Sequence, residues 1–234
     1  MSQLWPGGIE YEGGSAFPVT TDSVLLADFA RVKPRERVLE LGCGAGLISL
    51  LILWRCPTAR VTAVELDAPS AKQARANFAA NGYMADVVCG DLRERASLPE
   101  ANFCGLVVCN PPYFAPDSGR TSPSERRAAA RSEGQCTFAD VSHAAALCLK
   151  QGGRFAFVHR SERMAEIFEC LAAERLEPKR LRLVQHSADK APGLFLCEAV
   201  YLASPGLEVL PPLVLYDCDG RESGEMRRIY HMEG

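Results

Sequence analysis

The sequence has no apolar run long enough to cross a membrane. A membrane-spanning helix needs about 18 or more consecutive apolar residues, and no stretch of the 234 residues reaches that length. Residues 1–14 have no basic start and no apolar centre, so they do not resemble a signal peptide. We therefore expect no membrane association and a cytoplasmic location.

The sequence also lacks an excess of positive charge and any cysteine pattern typical of metal binding. Its formal net charge is −3, so no global basic field favours a nucleic-acid partner. It has ten cysteines, but no C-x-x-C pair and no Cys/His spacing of the kind that binds zinc. Most of them, such as Cys104 and Cys109, lie in apolar runs, where cysteine acts as a small hydrophobic residue. We expect reduced cysteines and no metal.

Apolar residues make up 47% of the chain, which is ample for the core of one large domain. We expect an N-terminal arm and capping helix over residues 1–36, a core over 37–204 and a tail packed on the core over 205–234. Strand and helix patterns alternate through the core, which predicts an α/β fold with a mainly parallel sheet. Seven strands are expected, at residues 37–41, 60–64, 85–88, 103–109, 154–159, 181–185 and 195–203.

A glycine turn follows the first predicted strand. Gly42, Gly44 and Gly46 lead into an apolar helix that extends to Trp54. Such a turn lets a ligand approach bare backbone at a helix N-terminus. The spacing is G-x-G-x-G, not the G-x-G-x-x-G of dinucleotide enzymes. Taken alone, it is also compatible with a simple tight turn between strand and helix.

Polar side chains follow the next three strands. Glu65 ends the second strand, about 20 residues after the glycine turn, where a carboxylate can accept from both ribose hydroxyls. Asp91 follows the third strand and could accept from an adenine amino group, and Asn110 ends the fourth. Because the carboxyl ends of parallel strands meet at one edge of a sheet, these features predict a nucleotide site there.

The stretch 107–114 combines a buried strand with an abrupt end. Pro111 and Pro112 lack the N–H that a ladder needs, so the strand ends at Asn110. The following proline holds the Asn110 backbone extended. A planar amine at this edge could donate to the Asn110 side-chain oxygen and the Pro111 carbonyl, with Tyr113 stacked on its ring. The alternative is a strand-to-loop turn that Asn110 merely caps.

Taken together, these motifs resemble those of a class I S-adenosylmethionine-dependent methyltransferase. They occur in the family's order: Glu40-Leu-Gly-Cys-Gly-Ala-Gly46, Glu65, Asp91 and Asn110-Pro-Pro-Tyr113. The resemblance covers most of residues 37–203. It implies a Rossmann-like, seven-stranded, mostly parallel sheet with helices on both faces and an antiparallel last strand. It also implies S-adenosyl-L-methionine as cofactor and methylation of an exocyclic amine without a metal.

The resemblance assigns roles to individual residues. The expected catalytic residues are Asn110, Pro111, Pro112 and Tyr113. The expected cofactor-binding residues are Thr21, Asp22, Glu40, Gly42, Cys43, Gly44, Gly46, Glu65, Leu66, Asp91, Leu92 and Asn110.

Three shorter segments resemble the bacterial tRNA(Val) adenine-N6 methyltransferase group. They are Thr21-Asp-Ser-Val-Leu-Leu-Ala27, Ala130-Arg-Ser-Glu133 and Leu213-Val-Leu-Tyr216. This narrower resemblance implies an RNA partner, with tRNA expected, and methylation of the adenosine 3′ of the anticodon. Exposed charge is the usual role of scattered arginines, but their position beside the motif makes some of them RNA-contact candidates. The arginine candidates are Arg120, Arg126, Arg127, Arg131, Arg160 and Arg163, and the aromatic Phe114 is a further candidate for RNA contact.

Four other functions remain open at this point. The chain could methylate a guanine N2 amine in ribosomal RNA, or a glutamine amide in a translation release factor. The glutamine enzymes resemble this core preceded by a helical domain, and only residues 1–36 precede the first strand here. An NAD-dependent oxidoreductase is disfavoured by the glycine spacing. A non-catalytic RNA-binding module would bind RNA but not the methyl donor. The sequence does not indicate an oligomeric state.

Overall fold

The computed structural model describes residues 2–13, 19–111 and 136–230. Eleven strands are found in this part of the chain: β1 Ser2–Gln3, β2 Glu10–Tyr11, β3 Arg37–Leu41, β4 Arg60–Glu65, β5 Asp86–Cys89, β6 Cys104–Cys109, β7 Leu149–Arg160, β8 Leu176–Gln185, β9 Leu194–Tyr201, β10 Glu208–Val209 and β11 Leu213–Val214. The α-helices are α1 Thr21–Phe29, α2 Leu47–Arg55, α3 Ala68–Ala80, α4 Phe138–Cys148, α5 Met164–Ala173 and α6 Gly224–Ile229. Short 3₁₀ turns lie at Arg95–Ser97 and Ser161–Arg163.

Nine of these strands form one sheet in the order β10-β8-β9-β7-β6-β3-β4-β5, with β11 also paired to β8. Only β9 runs antiparallel to its neighbours, β7 and β8. The predicted α/β fold with an antiparallel last core strand is therefore confirmed. The sheet exceeds the expected seven strands because the two-residue strands β10 and β11 extend it beyond β8.

Helices cover both faces of the sheet because neighbouring strand residues point to opposite sides. Val38 packs in the cluster under α1, α2, α3 and α6, whereas Leu39 packs in the cluster under α4 and α5. Both side chains are fully buried. Continuous apolar strands of this kind are expected in a sheet that is covered on both faces.

Two strands begin earlier than the sequence predicts. β8 starts at Leu176 rather than at 181, although Pro178 lies within it. The register between β8 and β9 shifts between Pro178 and Arg180, so a bulge accommodates the residue that cannot donate to the ladder. β7 starts at Leu149, directly after α4 ends at Cys148, and its register against β6 shifts between Leu149 and Arg154.

The N-terminal arm is a short hairpin, β1–β2, held against α3 by two asparagines. Asn81 bonds both the N–H and the carbonyl of Glu10, at 2.9 and 2.7 Å. Asn77, one turn earlier, bonds both backbone groups of Glu12, at 3.2 and 3.0 Å. The fully buried Asn77 amide also donates to the Ala45 carbonyl at 2.8 Å. The arm is therefore fixed to the glycine turn as well as to α3.

A buried ion network ties the sheet to the segment before β3. The Arg154 guanidinium donates to both carboxylate oxygens of Glu36, at 2.8 and 2.7 Å. Glu198 accepts from Arg154 at 3.4 Å and from Arg180 at 3.2 Å. Arg180 also lies 4.3 Å from the centre of the Phe29 ring on α1. Removal of one member would leave a buried charge without its partner, which would strongly destabilise the fold.

Candidate active site

A cavity of about 150 Å³ opens at the carboxyl edge of the sheet, where β3 and β6 end. It brings together the glycine turn, the start of α2, the N-terminal arm, the start of α1 and the end of β6. Among the described residues, its lining consists of Tyr11, Thr20, Ser23, Glu40, Gly42, Cys43, Gly44, Ala45, Leu47, Ile48 and Asn110. Parallel α/β folds bind ligands at this edge.

Glu40 contributes an ionisable carboxyl group to this cavity and is only 1% exposed. Its Oε2 accepts from the Ser49 N–H at 3.0 Å and from the Ser49 hydroxyl. Burial raises the pKa of the Glu40 carboxyl to about 8, because desolvation outweighs the two hydrogen bonds from Ser49 that lower it. A cationic ligand in the cavity would favour the ionised carboxylate.

The glycine turn has a conformation that side chains resist. Gly46 has φ +84°, and a Cβ there would lie 2.9 Å from the Phe78 ring. Gly44 has φ +53°, and its N–H donates to Glu65 Oε2 at 2.7 Å. Glu65 Oε1 accepts from the Asp67 N–H at 2.9 Å. Glu65 is 8% exposed, and backbone N–H groups of Gly44 and Asp67 donate to its two oxygens, so the carboxylate is fixed beside the glycine turn.

Asp91 is less available to a ligand than the sequence suggests, because its carboxylate is already paired with a neighbouring arginine. Its carboxylate takes a forked contact from the Arg93 guanidinium, with Nε at 3.0 Å from both oxygens. The Arg93 N–H also donates to Asp91 Oδ1 at 2.9 Å. These bonds hold the pKa of Asp91 below its usual range. An adenine amino group would have to share this carboxylate with Arg93.

Asn110 follows the last residue of β6 and lines the cavity. Its Nδ2 donates to the Ser23 hydroxyl on α1 at 3.0 Å. The Thr20 hydroxyl donates to the same Ser23 oxygen at 2.9 Å, and Thr20 is the N-cap of α1. The motif at the end of β6 is therefore joined to the first turn of the N-terminal helix.

His159 lies at the neighbouring strand end and cannot act as a charged group near neutral pH. It is 1% exposed, and its Nδ1 accepts from the Arg160 N–H at 2.9 Å. Burial lowers the pKa of His159 to about 4, with a further lowering from the Arg163 charge. Its ring meets Phe138 edge-on, with centroids 5.6 Å apart. The imidazole is a packed, neutral element of this edge.

The cavity fits S-adenosylmethionine on its donor and acceptor set. That molecule carries cationic ammonium and sulfonium groups, two ribose hydroxyls and an adenine. Glu40 is a buried carboxylate on the lining, the glycine turn offers bare backbone, and Glu65 is a preset acceptor beside it. These three would hold the cofactor's charged end, its chain and its ribose.

Comparison with known proteins decides the family. The model of the methyltransferase small domain family matches residues 18–174. The chain belongs to the methyltransferase small domain family. Membership of this family confirms the predictions of a methyltransferase and of S-adenosylmethionine as its cofactor.

Curated relatives narrow the comparison. The chain is 33% identical over 193 residues to the tRNA1(Val) (adenine(37)-N6)-methyltransferase of Porphyromonas gingivalis, covering 79% of this chain and 75% of that protein. The protein of the same name from Shewanella halifaxensis is 30% identical over 177 residues, with 75% and 71% covered. That of Aeromonas hydrophila is 36% identical over 160 residues, with 68% and 66% covered. The narrower resemblance noted in the sequence is therefore confirmed.

Solved structures share the fold. The crystal structure of Atu636 from Agrobacterium tumefaciens, described as a predicted O-methyltransferase, aligns with a TM-score of 0.73 at 19% identity, covering 90% of this chain and 96% of that one. TrmN from Thermus thermophilus aligns with a TM-score of 0.53 at 22% identity, covering 77% and 48%. At these identities the likeness concerns the fold alone.

The methyltransferase's cavity is lined by only some of the predicted site residues. Glu40, Gly42, Cys43, Gly44 and Asn110 line it. Eight other predicted catalytic or cofactor-binding residues are described by the structure but do not line the cavity: Thr21, Asp22, Gly46, Glu65, Leu66, Asp91, Leu92 and Pro111. Gly46 and Glu65 instead fix the conformation of the glycine turn, which does line the cavity. Leu66 follows β4 directly and is 53% exposed. The predicted residues Pro112, Tyr113, Phe114, Arg120, Arg126, Arg127 and Arg131 lie outside the described residues.

The cavity also contains residues that the sequence did not indicate. Thr20 and Ser23 flank the predicted pair Thr21 and Asp22, and it is these outer residues that line the cavity. The side chain of Thr21 instead bonds Tyr230 of the tail. Tyr11 also lines the cavity but was not predicted as a site residue. Its position depends on the hydrogen bonds by which Asn77 and Asn81 hold the arm against α3. The one available signal was the Thr-Thr-Asp-Ser run, which is typical of a helix cap.

Two predicted RNA-contact residues lie within the described part of the chain. Arg160 is exposed at the carboxyl end of β7, the strand next to β6. Arg163 pairs with Glu166, and its side chain is 17% exposed.

Across residues 2–13, 19–111 and 136–230, no helix is long and apolar enough to span a membrane. The same residues contain no cluster of metal-binding side chains.

Proposed function

We propose that this methyltransferase methylates the N6 amine of adenosine 37 in a tRNA anticodon loop. The observation that carries the proposal is the position of Asn110, which follows β6 and lines the same cavity as the glycine turn and Glu40. An amide placed there, followed by Pro111, offers two oxygens to an amine at the cofactor edge. The names of the relatives support adenine 37 of tRNA1(Val) as the target.

The chemistry asked of the protein is mainly placement. The cofactor supplies an electrophilic methyl group when bound. The exocyclic amine of adenine is a weak nucleophile because its lone pair is delocalised into the ring. Hydrogen bonds from the amine to the Asn110 side-chain oxygen and the Pro111 carbonyl would polarise it and fix its direction. Correct orientation alone can supply about 7–11 kcal/mol of the barrier.

The RNA side of the proposal is supported by the position of Arg160. It is exposed and lies one strand away from Asn110, so it could hold a phosphate beside an extruded base. A base in an anticodon loop is already partly unstacked, so moving it into the cavity costs little. A tRNA substrate would also place the enzyme in the cytoplasm.

Radiolabelled methyl transfer into separate pools of tRNA, ribosomal RNA and protein tests the proposal. We expect label in tRNA with the wild type and a loss of at least about tenfold with Asn110→Ala. Met84→Ala is the matched control, because this side chain is 94% exposed and does not line the cavity. Label in ribosomal RNA would favour a guanine N2 target, and label in protein would favour a glutamine amide. Either result in place of tRNA label would contradict the proposal.

A further inference from the structure

The side-chain amide of Asn110 has two chemically opposite ends. Its oxygen accepts hydrogen bonds, and its nitrogen donates them. Only the oxygen can accept from an amine that is about to be methylated. An amide turned by 180° would direct its own N–H groups at that amine and would leave the nucleophile unpolarised. Some group must therefore select the orientation.

The Ser23 hydroxyl is placed to make that selection. It accepts from Asn110 Nδ2 at 3.0 Å and from the Thr20 hydroxyl at 2.9 Å. A hydroxyl oxygen has two lone pairs and one hydrogen, so when both lone pairs accept, the hydrogen is directed away from Asn110 and the hydroxyl meets the amide as an acceptor. Because the amide nitrogen points to Ser23, the amide oxygen points away from α1.

The position of Ser23 is itself fixed. The Ser23 N–H donates to Thr20 Oγ1 at 3.4 Å, which caps the first turn of α1. The next residues, Val24, Leu25 and Leu26, are at most 6% exposed and anchor the helix in the core. The hydroxyl is therefore presented by a rigid helix rather than by a loop.

We propose that Ser23 is a positioning residue that keeps the Asn110 side-chain oxygen directed at the amine to be methylated. This inference rests on the proposed function, since it assigns how the catalytic amide of that reaction is oriented. It makes the first turn of α1 part of the catalytic apparatus, although no atom of Ser23 takes part in the transfer.

Steady-state kinetics on the tRNA substrate separate positioning from binding. In Ser23→Ala we expect kcat to fall about tenfold, the equivalent of one lost hydrogen bond. The KM for tRNA and the affinity for S-adenosylhomocysteine should stay within about twofold. Ser23→Thr keeps the hydroxyl and should restore kcat. Ser142→Ala is the control, because it removes another helix serine hydroxyl, bonded to the Phe138 carbonyl on the opposite face of the sheet. An unchanged kcat in Ser23→Ala would overturn the inference.

A double-mutant cycle tests whether Ser23 acts through Asn110. If it does, Ser23→Ala will have no further effect on kcat in an Asn110→Ala background. Additive losses would show that Ser23 acts independently, and would overturn the assignment even if the single variant is slow.

A measurement without substrate separates this inference from the proposed function. The two Nδ2 protons of Asn110 can be assigned by NMR from their absence in Asn110→Ala. In the wild type we expect them to exchange slowly with water and to give separate signals, and in Ser23→Ala to exchange faster. Faster exchange together with no methyl transfer by the wild type would support the amide anchor and reject the proposed reaction. Identical exchange in both proteins would reject the anchor.

Discussion

Replacing Glu40 by glutamine should remove a pH-dependent loss of stability. The glutamine amide keeps an oxygen that can accept from the Ser49 N–H and hydroxyl, so the packing is retained while the titrating group is removed. Burial raises the pKa of Glu40 from 4.5 to about 8. Each unit of difference between folded and unfolded states corresponds to about 1.4 kcal/mol, so the full effect is on the order of 5 kcal/mol.

The sign follows from which state holds the proton. Below pH about 4.5, Glu40 is protonated in both states, and the wild type and Glu40→Gln should differ little. Between pH 4.5 and 8 the unfolded chain loses this proton and the folded chain retains it, so the free energy of unfolding of the wild type falls as pH rises. Glu40→Gln lacks this contribution.

Urea denaturation of both proteins at pH 5, 7 and 9 measures the effect. We expect the variant's advantage in free energy of unfolding to grow steadily up to about pH 8 and then to level off. Saturating S-adenosylmethionine should reduce the difference, because a cation beside Glu40 favours its ionised form. Parallel pH profiles for the two proteins would refute a raised pKa at Glu40.

Three further predictions concern single side chains. Glu65→Ala should weaken S-adenosylhomocysteine binding by about 1–3 kcal/mol in calorimetry, because the ribose hydroxyls would lose the carboxylate that accepts from them; unchanged binding would exclude Glu65 from the cofactor site. Asn110→Ala should lower turnover far more than cofactor affinity, and near wild-type turnover would reduce Asn110 to a strand cap. Glu198→Ala should lower the free energy of unfolding by about 3–5 kcal/mol, because it leaves the buried Arg180 without its carboxylate. A loss below about 1 kcal/mol would show that water compensates this charge.

The sheet could be predicted from the sequence because its strands carry their own signal. Apolar runs and the turns between them are encoded by local residues, and the core strands lie where these runs are. The start of β8 could not be predicted, since Pro178 argues against a strand until β9 is present to form the bulge. The motif at Asn110 was visible for the same local reason, because two prolines end a strand whatever surrounds it.

Contacts between distant segments could not be predicted. Whether Thr21 or Ser23 faces the cavity depends on where α1 begins, and one residue turns a helix by about 100°. From the sequence, Asn77 is an ordinary polar helix residue and Asn81 marks the end of the helix, and only the docked arm reveals their hydrogen bonds. The pairing of Asp91 with Arg93 likewise depends on side-chain conformation.

The most direct test of the proposed function is nucleoside analysis of a tRNA1(Val) transcript after reaction with the purified chain and S-adenosylmethionine. We expect N6-methyladenosine in the digest, and we expect it to be absent when adenosine 37 is replaced by guanosine. N2-methylguanosine in place of N6-methyladenosine, or N6-methyladenosine that persists in the substituted transcript, would contradict it.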